Sequence, residues 1–212
     1  LGWADQHSRL GVRANADTPQ DAARALRYGA KGIGLCRTER MFNAADRLPI
    51  VVDMIVAETA EDRRAALDRL LPIQRADFVG IFRGMAPHPV TIRLLDPPIH
   101  EFLPTGRQLE DDIARLHDLR GAARGMEVLT EAARFAPDTL IPATLRDFGE
   151  TRLIDTIIAR KEAILRKARA LREVNPMLGH RGVRLGITYP EIYTMQIRAV
   201  LEAAADCVRS GV

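Results

Sequence analysis

Short apolar runs alternate with longer amphipathic stretches along the first hundred residues of the chain. Three runs predict strands and cover residues 12–16, 31–36 and 89–95, and a fourth, weaker run covers 181–187. The run 89–95 is β-branched and unbroken, which is typical of a buried parallel strand. Because the predicted strands alternate with helical patterns, the fold class is α/β with a parallel sheet, either a barrel or a doubly wound sheet.

Helix-start signals lie between these runs. Thr18 is a suitable N-cap for a helix whose first residue is Pro19. Amphipathic patterns predict further helices over 49–57 and over 60–84, the second interrupted near Pro72. The final helical pattern of the chain also has a proline at its first position.

A long helical pattern separates the third predicted strand from the fourth. It runs from 105 to about 174 and contains no strand candidate. The predicted organisation is therefore 1–104 with the first βα units, 105–174 as a helical insertion, and 175–212 with a fourth βα unit. A (β/α)₈ barrel contains eight strands in roughly 250 residues, so four strands correspond to about half a barrel.

Composition restricts the class of protein. The chain has 212 residues, of which 47% are hydrophobic and 28% charged, and a formal net charge of +3. These ordinary values exclude a disordered chain, a collagen-like repeat and a disulfide scaffold. No run approaches the roughly 18–20 apolar residues of a transmembrane helix, so no membrane partner is predicted and the cytoplasm is the default compartment. The chain starts without methionine and stops just after a helical pattern, so we expect that both ends are cut.

Charged residues follow the predicted strands, and several of them are arginines. Arg37 ends the second strand, Arg93 lies in the third, and Arg181 stands at the start of the fourth. In parallel α/β folds, binding sites form at the carboxyl ends of the strands. Converging arginines there suit a small ligand with a phosphate and a carboxylate, because the guanidinium group binds either one through two hydrogen bonds and keeps its charge.

Structural explanations remain open for these features. Ion pairs with Asp96, Glu39 and Glu101 would let the arginines simply close the end of a barrel.

Cys36 ends an apolar strand and is expected to be a buried small hydrophobe, not a nucleophile. The stretch 152–172 holds seven basic residues but no aromatic residue for base stacking. A solvated helix face is therefore favoured there, and no nucleic-acid partner is predicted.

Four ordered blocks and a closing motif resemble one known family. They cover 12–19, 32–39, 93–102, 175–184 and 188–192. Together they resemble the C-terminal phosphoenolpyruvate/pyruvate-binding domain of the phosphoenolpyruvate (PEP)-utilising enzymes. The Leu-Asp-Pro-Pro and Gly-His-Arg-Gly motifs are similar to those of the pyruvate, phosphate dikinase family. The Arg-Thr-Glu and Asn-Pro motifs are shared with PEP synthases and phosphotransferase-system enzyme I.

The resemblance implies a (β/α)₈ TIM barrel, of which this chain would hold the first half, about four strands, and a helical insertion. It implies that PEP and pyruvate bind with Mg²⁺ at the C-terminal mouth of the barrel. Arg37, Arg93 and Arg181 match the family's arginines that bind the phosphoryl group and act in its transfer. In that family a phosphohistidine domain carries the group between this site and an ATP-grasp domain, and ATP, phosphate and pyruvate are interconverted with AMP, pyrophosphate and PEP.

Other parts of the family's machinery fall outside these 212 residues. The Mg²⁺ ligands, a substrate-contacting asparagine and the cysteine that protonates the enolate belong to later segments, so no metal ligand is predicted here. We therefore expect a fragment that is inactive alone and binds anions weakly at best. The open edges of half a barrel predict a homo-oligomer, or coverage by the helices of 105–172. A PEP synthase or enzyme I relative and a non-catalytic anion-binding module are the alternatives.

Overall fold

A parallel sheet of three strands forms the centre of the larger part of the protein, as seen in a computed structural model. The strands are β1 (Ala14–Asn15), β2 (Ile33–Arg37) and β3 (Val90–Arg93), in the order β1-β2-β3. Both neighbouring pairs are parallel. The first three predicted strands are therefore confirmed, and the α/β class with a parallel sheet is confirmed with them.

Helices make up most of the chain that the structure describes, which comprises residues 2–133, 151–171 and 179–212. In chain order they are α1 (Gly2–His7), α2 (Pro19–Arg27), α3 (Thr38–Phe42), α4 (Leu48–Val56), α5 (Ala60–Met85), α6 (Gly106–Ala133), α7 (Thr151–Ala170), α8 (Val183–Thr188) and α9 (Pro190–Arg209). A short 3₁₀ helix, Ile99–Phe102, lies between β3 and α6. None of the described helices is both long and apolar enough to cross a membrane.

The helix starts follow the signals in the sequence. The side chain of Thr18 accepts a hydrogen bond from the backbone N–H of Asp21 at 3.1 Å and caps α2 as predicted. Thr59 caps α5 in the same way. The predicted interruption at Pro72 is wrong, because α5 continues unbroken to Met85. Burial of the long inward face of α5 outweighs the one hydrogen bond that a proline removes.

The fourth predicted strand, 181–187, is wrong, because the chain forms the short helix α8 there. Val183, Leu185 and Ile187 alternate with polar or small residues, which is a strand pattern. Only Leu185 is buried, however, and Val183 and Ile187 are 72% and 76% exposed. One turn of helix is enough to bury a single leucine. The sheet of the described residues therefore has three strands, and the predicted fourth βα unit contributes helices without a strand.

One apolar core joins the sheet to α2, α5 and α9. Ile33 and Cys36 of β2, Phe78 and Ile81 of α5, and Ala199 of α9 are all fully buried within it. Helices α5 and α9 also pack along each other. Because interiors pack densely, this core holds the strands in register and keeps their carboxyl ends at one edge.

The chain divides into two compact units. One combines Leu1–Phe102 with Glu173–Val212 and holds the sheet, and the other is Leu103–Arg172. In the second unit α6 and α7 pack against each other, and Lys161 of α7 pairs with Asp112 of α6 at 2.6 Å. Lys161, one of the seven basic residues of 152–172, is therefore neutralised by an ion pair within this unit.

A cluster of ion pairs joins α5 to α9 on the surface of the first unit. Arg75 pairs with Glu202 at 3.0 Å and with Asp206 at 2.5 Å. Hydrogen bonds from Arg198 and Arg75 lower the pKa of Glu202, and hydrogen bonds from Arg209 and Arg75 lower the pKa of Asp206. Because both pKa values lie below those of an unfolded chain, the cluster stabilises the fold at neutral pH. It loses this effect as the pH falls from about 4, where the unfolded carboxylates titrate, through the lowered pKa values of the folded state.

We expect the double variant Glu202→Gln/Asp206→Asn to be less sensitive to acid than the wild-type chain. The measurement is the urea midpoint of unfolding between about pH 7 and about pH 3. The wild-type midpoint should fall more steeply with acid, because only the wild type has these two carboxylates to protonate. Glu58→Gln, at an exposed position, is the control and should follow the wild type. Equal slopes for the wild type and the double variant would contradict the assignment.

Candidate functional site

Arg37 and Arg93 occupy the carboxyl ends of two neighbouring strands. Each is the last residue of its strand, and the two are direct partners in the parallel register of β2 and β3. Carboxyl ends of parallel strands lie at the same edge of a sheet, so strand pairing itself brings these two predicted site residues together. Their side chains are 29% and 38% exposed, which leaves the guanidinium groups partly accessible to a ligand.

Arg181 reaches the same edge from the segment that precedes α8. Its guanidinium group pairs with the Asp96 carboxylate at 2.5 Å, and Arg93 lies 3.3 Å from the same carboxylate. The backbone N–H of Gly182 donates to the Asp96 carbonyl at 2.9 Å. Gly182 has a φ of +54°, and a Cβ there would lie 3.1 Å from Asp96 Oδ1, so this close approach requires glycine. Asp96 thus bridges two of the three predicted site residues.

Asp17, which follows β1, orients Arg37. Its carboxylate accepts from Arg37 Nη2 at 2.8 Å and from the backbone N–H of Arg37 at 2.7 Å, and its side chain is only 7% exposed. The hydrogen bond to Asp17 raises the pKa of Arg37. Arg40 approaches the same carboxylate at 3.3 Å. The segments at the carboxyl ends of all three strands therefore contribute to the site.

Glu39 belongs to the same cluster of ion pairs, which it joins through Arg93. Its carboxylate pairs with Arg93, which also contacts Asp96. The pKa of Arg181 is raised mainly by its hydrogen bond to Asp96, with further contributions from the charges of Glu101 and Glu39. Negative and positive groups consequently alternate along Glu39, Arg93, Asp96 and Arg181, and Asp96 favours the charged form of Arg181.

The ion pairs with Asp96 and Glu39 that the structural alternative predicts are present. The cluster also contains buried polar atoms that make no hydrogen bond within the described residues, namely Thr38 Oγ1, Glu39 Oε2 and Arg93 Nε. Nearly all buried polar groups are satisfied in a purely structural network. Buried polar atoms without a hydrogen bond within the described residues also occur outside the cluster, at Arg47 and Gln74, so these atoms do not by themselves distinguish a ligand site from a closed structural end.

The carboxylates of this cluster do not form a metal site. Among the residues that the structure describes, no group of three or more His, Cys, Asp or Glu is arranged to hold a metal ion. Asp17, Glu39 and Asp96 each bind a guanidinium group instead. Mg²⁺ prefers an octahedral set of oxygen ligands, which these three carboxylates do not provide.

Cys36 lies next to Arg37 but does not have the character of a nucleophile. It is fully buried, and burial together with the charges of Asp17, Glu39 and Asp77 raises its pKa to about 12. A thiol with this pKa stays protonated at neutral pH, and the thiolate is the reactive form. The prediction of a buried small hydrophobe at Cys36 is confirmed.

Sequence reasoning missed two residues of α9 that reach this region. The Tyr193 hydroxyl donates to the carbonyl of Leu95 at 2.7 Å, and the Gln196 side chain accepts from the N–H of Leu95 at 2.8 Å. Gln196 lies four residues after Ile192 and three before Ala199, on the inward face of the helix. A glutamine within an apolar stripe is the signal that could have indicated its role, because such positions rarely carry an amide without a hydrogen-bonding reason.

A family model described as "PEP-utilising enzyme, PEP-binding domain" matches residues 1–211. The chain belongs to this family. Among the blocks that carry the predicted resemblance, the first three lie among the described residues and include Asp17, Arg37, Glu39 and Arg93. Residues 175–178 of the fourth block lie outside the described residues.

Curated proteins similar to the chain are named pyruvate, phosphate dikinase. The Entamoeba histolytica protein is 47% identical over 212 residues, the Arabidopsis thaliana chloroplastic protein 1 is 47% identical over 212, and the Flaveria pringlei chloroplastic protein is 49% identical over 213. All of the chain is covered in each case, but only 20%, 18% and 18% of the relative. The predicted resemblance to the dikinases is confirmed, and the chain spans about a fifth of the length of these curated relatives.

Proposed function

We propose that the chain is the PEP- and pyruvate-binding part of a pyruvate, phosphate dikinase, and that Arg37, Arg93 and Arg181 bind the phosphoryl group. One arrangement carries the proposal. Arg37 and Arg93 are register partners at the carboxyl ends of β2 and β3, and Asp96 joins Arg93 to Arg181. In a chain of the PEP-binding family, this edge of the sheet is where an anionic substrate is expected.

The carboxylates of the cluster have a defined part in this proposal. Asp17, Glu39 and Asp96 hold the guanidinium groups in place before substrate binds, which reduces the reorganisation needed afterwards. A phosphate dianion competes with these carboxylates for the same N–H donors. Binding therefore exchanges arginine–carboxylate hydrogen bonds for arginine–phosphate ones, which predicts weak affinity for phosphate alone.

The arginines act on the transfer step through position and charge. As the phosphoryl group passes between the phosphohistidine domain and pyruvate, negative charge is spread over its three equatorial oxygens. Arg37, Arg93 and Arg181 would neutralise that charge from one edge of the sheet. By analogy with oxyanion donors, each contributes about 3–4 kcal/mol in the transition state.

The wider assignment is part of the same proposal. The complete enzyme would use Mg²⁺, a phosphohistidine domain and an ATP-grasp domain to interconvert ATP, phosphate and pyruvate with AMP, pyrophosphate and PEP. Residues 1–104 and 175–212 would belong to a partial (β/α)₈ barrel, and 105–174 to an insertion. Strands β1 and β3 are the edges of the described sheet, which supports pairing with further chain or with a second copy, so a homo-oligomer stays a prediction. A cytoplasmic location also stays a prediction.

Calorimetric titration of the chain with PEP and with inorganic phosphate tests this assignment. We expect dissociation constants near the millimolar range, about −4 kcal/mol, and no PEP formation by the chain alone in a coupled assay. Binding should disappear when Arg37, Arg93 and Arg181 are all replaced by methionine.

The matched control replaces three exposed arginines of the same unit, Arg24, Arg69 and Arg83, and removes the same charge. It should bind PEP like the wild type. The proposal is overturned if the wild type does not bind PEP, if binding survives the loss of all three site arginines, or if the chain alone forms PEP from pyruvate.

A further inference from the structure

Helix α9 places two polar side chains on one residue of the chain that follows β3. The hydroxyl of Tyr193 donates to the Leu95 carbonyl at 2.7 Å, and Oε1 of Gln196 accepts from the Leu95 N–H at 2.8 Å. Leu95 and Gln196 are both fully buried. The peptide groups on either side of Leu95 are therefore fixed by side chains from a helix about a hundred residues further along the chain.

This fixed residue directly precedes Asp96. The Leu95 carbonyl belongs to the peptide group that leads into Asp96, so its orientation sets the direction in which Asp96 leaves the strand. The Asp96 carboxylate in turn meets Arg93 at 3.3 Å and Arg181 at 2.5 Å. A rotation of the peptide before Asp96 would move a carboxylate that both arginines contact.

Tyr193 also contacts the segment that carries Arg181. A Cβ built on Gly186, in α8, would lie 2.8 Å from ring atoms of Tyr193, so the ring packs directly against this helix. One side chain thus contacts the residue before Asp96 with its hydroxyl and the helix after Arg181 with its ring. Burial raises the pKa of Tyr193, which keeps the hydroxyl a donor.

The position of Gln196 indicates a specific hydrogen-bonding role. It lies in an apolar stripe of α9 with Ile192, Met195 and Ala199, all buried. Its Nε2 is buried and makes no hydrogen bond within the described residues. Burial of an unpaired amide N–H costs free energy that an apolar residue of similar size would not. Within the described residues, the side-chain hydrogen bond that Gln196 makes is the one to Leu95.

We propose that Tyr193 and Gln196 are positioning residues that set the Arg93–Asp96–Arg181 bridge in the geometry that binds the phosphoryl group. The proposal rests on the proposed function for its ligand, and on the contacts of α9 for its geometry. Loss of either contact should weaken phosphate and PEP binding without any change in the three arginines.

The test compares Tyr193→Phe and Gln196→Met with two matched controls. Gln74→Met makes the same substitution at a second buried glutamine, whose amide atoms make no hydrogen bond within the described residues. Tyr28→Phe removes a hydroxyl from a tyrosine that is 71% exposed. We expect PEP and inorganic phosphate to bind about three- to tenfold more weakly to Tyr193→Phe and Gln196→Met, and the controls to bind like the wild type.

Two further measurements separate positioning from general stability. All titrations are made at urea concentrations well below the unfolding midpoint of each variant, so that only folded chains are compared. Amide exchange of Leu95 should be faster in Gln196→Met, at least about tenfold, and unchanged in Gln74→Met. The Nε–H resonances of Arg93 and Arg181 should shift in both α9 variants and in neither control.

The outcomes distinguish this inference from the proposed function. If the wild type binds PEP and the α9 variants bind it equally well, the inference is wrong and the proposed function stands. If the wild type does not bind PEP, the proposed function fails, and the resonances of Arg93 and Arg181 still decide whether α9 positions the bridge. Unchanged resonances in Tyr193→Phe and Gln196→Met would overturn the inference in either case.

Discussion

The Arg93→Met variant is expected to bind PEP about 10- to 100-fold more weakly than the wild-type chain, because hydrogen bonds from a charged donor are each worth about 1.5–3 kcal/mol. The loss has two causes. The variant lacks the guanidinium group of Arg93, the last residue of β3, which lies at the centre of the cluster. It also leaves the 15%-exposed carboxylate of Glu39 without its arginine, so a negative charge remains where the phosphate would bind.

Arg93→Lys and Arg69→Met make this prediction specific. Arg93→Lys keeps the charge but loses the planar fork, so its affinity should lie between those of the wild type and Arg93→Met. Arg69→Met removes the same charge from an exposed pair with Asp53 and should leave the affinity unchanged. Titration calorimetry gives all four dissociation constants. An Arg93→Met chain that is folded and binds PEP like the wild type would show that Arg93 is a structural ion-pair residue only.

Replacement of Gly32 with alanine is expected to lower the free energy of unfolding by about 3 kcal/mol. Gly32 precedes β2 with a φ of +149°, a conformation that side chains rarely adopt, and a Cβ there would lie 2.7 Å from the carbonyl oxygen of Pro89. That oxygen accepts the N–H of Ile33 at 2.9 Å in the first hydrogen bond between β2 and β3. The clash involves backbone on both sides, so a side-chain rotation cannot relieve it.

Gly29→Ala is the matched control for this effect. Gly29 also has a positive φ, +88°, but a Cβ there would meet nothing within 4 Å. Its substitution should cost only the conformational strain, about 1–2 kcal/mol. Urea unfolding of the two variants measures the difference. Equal losses of stability would mean that the Pro89 contact relaxes freely and that register at this end of the sheet is not set by Gly32.

The positions of Arg37 and Arg93 were predictable because they depend on short local patterns. Arg37 directly follows the apolar run 31–36 and Arg93 lies within the run 89–95, and the parallel pairing of the two strands makes these arginines register partners. The prediction at 181–187 failed because alternation over seven residues does not reveal which of them are buried. Arg181 nevertheless lies at the site, carried by the turn before α8 and not by a strand.

Local sequence patterns were sufficient for the three strands, the cap at Thr18 and the family resemblance, since all of these rest on neighbouring residues. The partners of the arginines were not accessible in that way. Packing of α9 against the sheet places Gln196 on Leu95, 101 residues away in sequence, and the turn at Gly182 places Arg181 on Asp96. Contacts of this kind depend on how separate elements fill one core, and no local propensity encodes which carboxylate an arginine will meet.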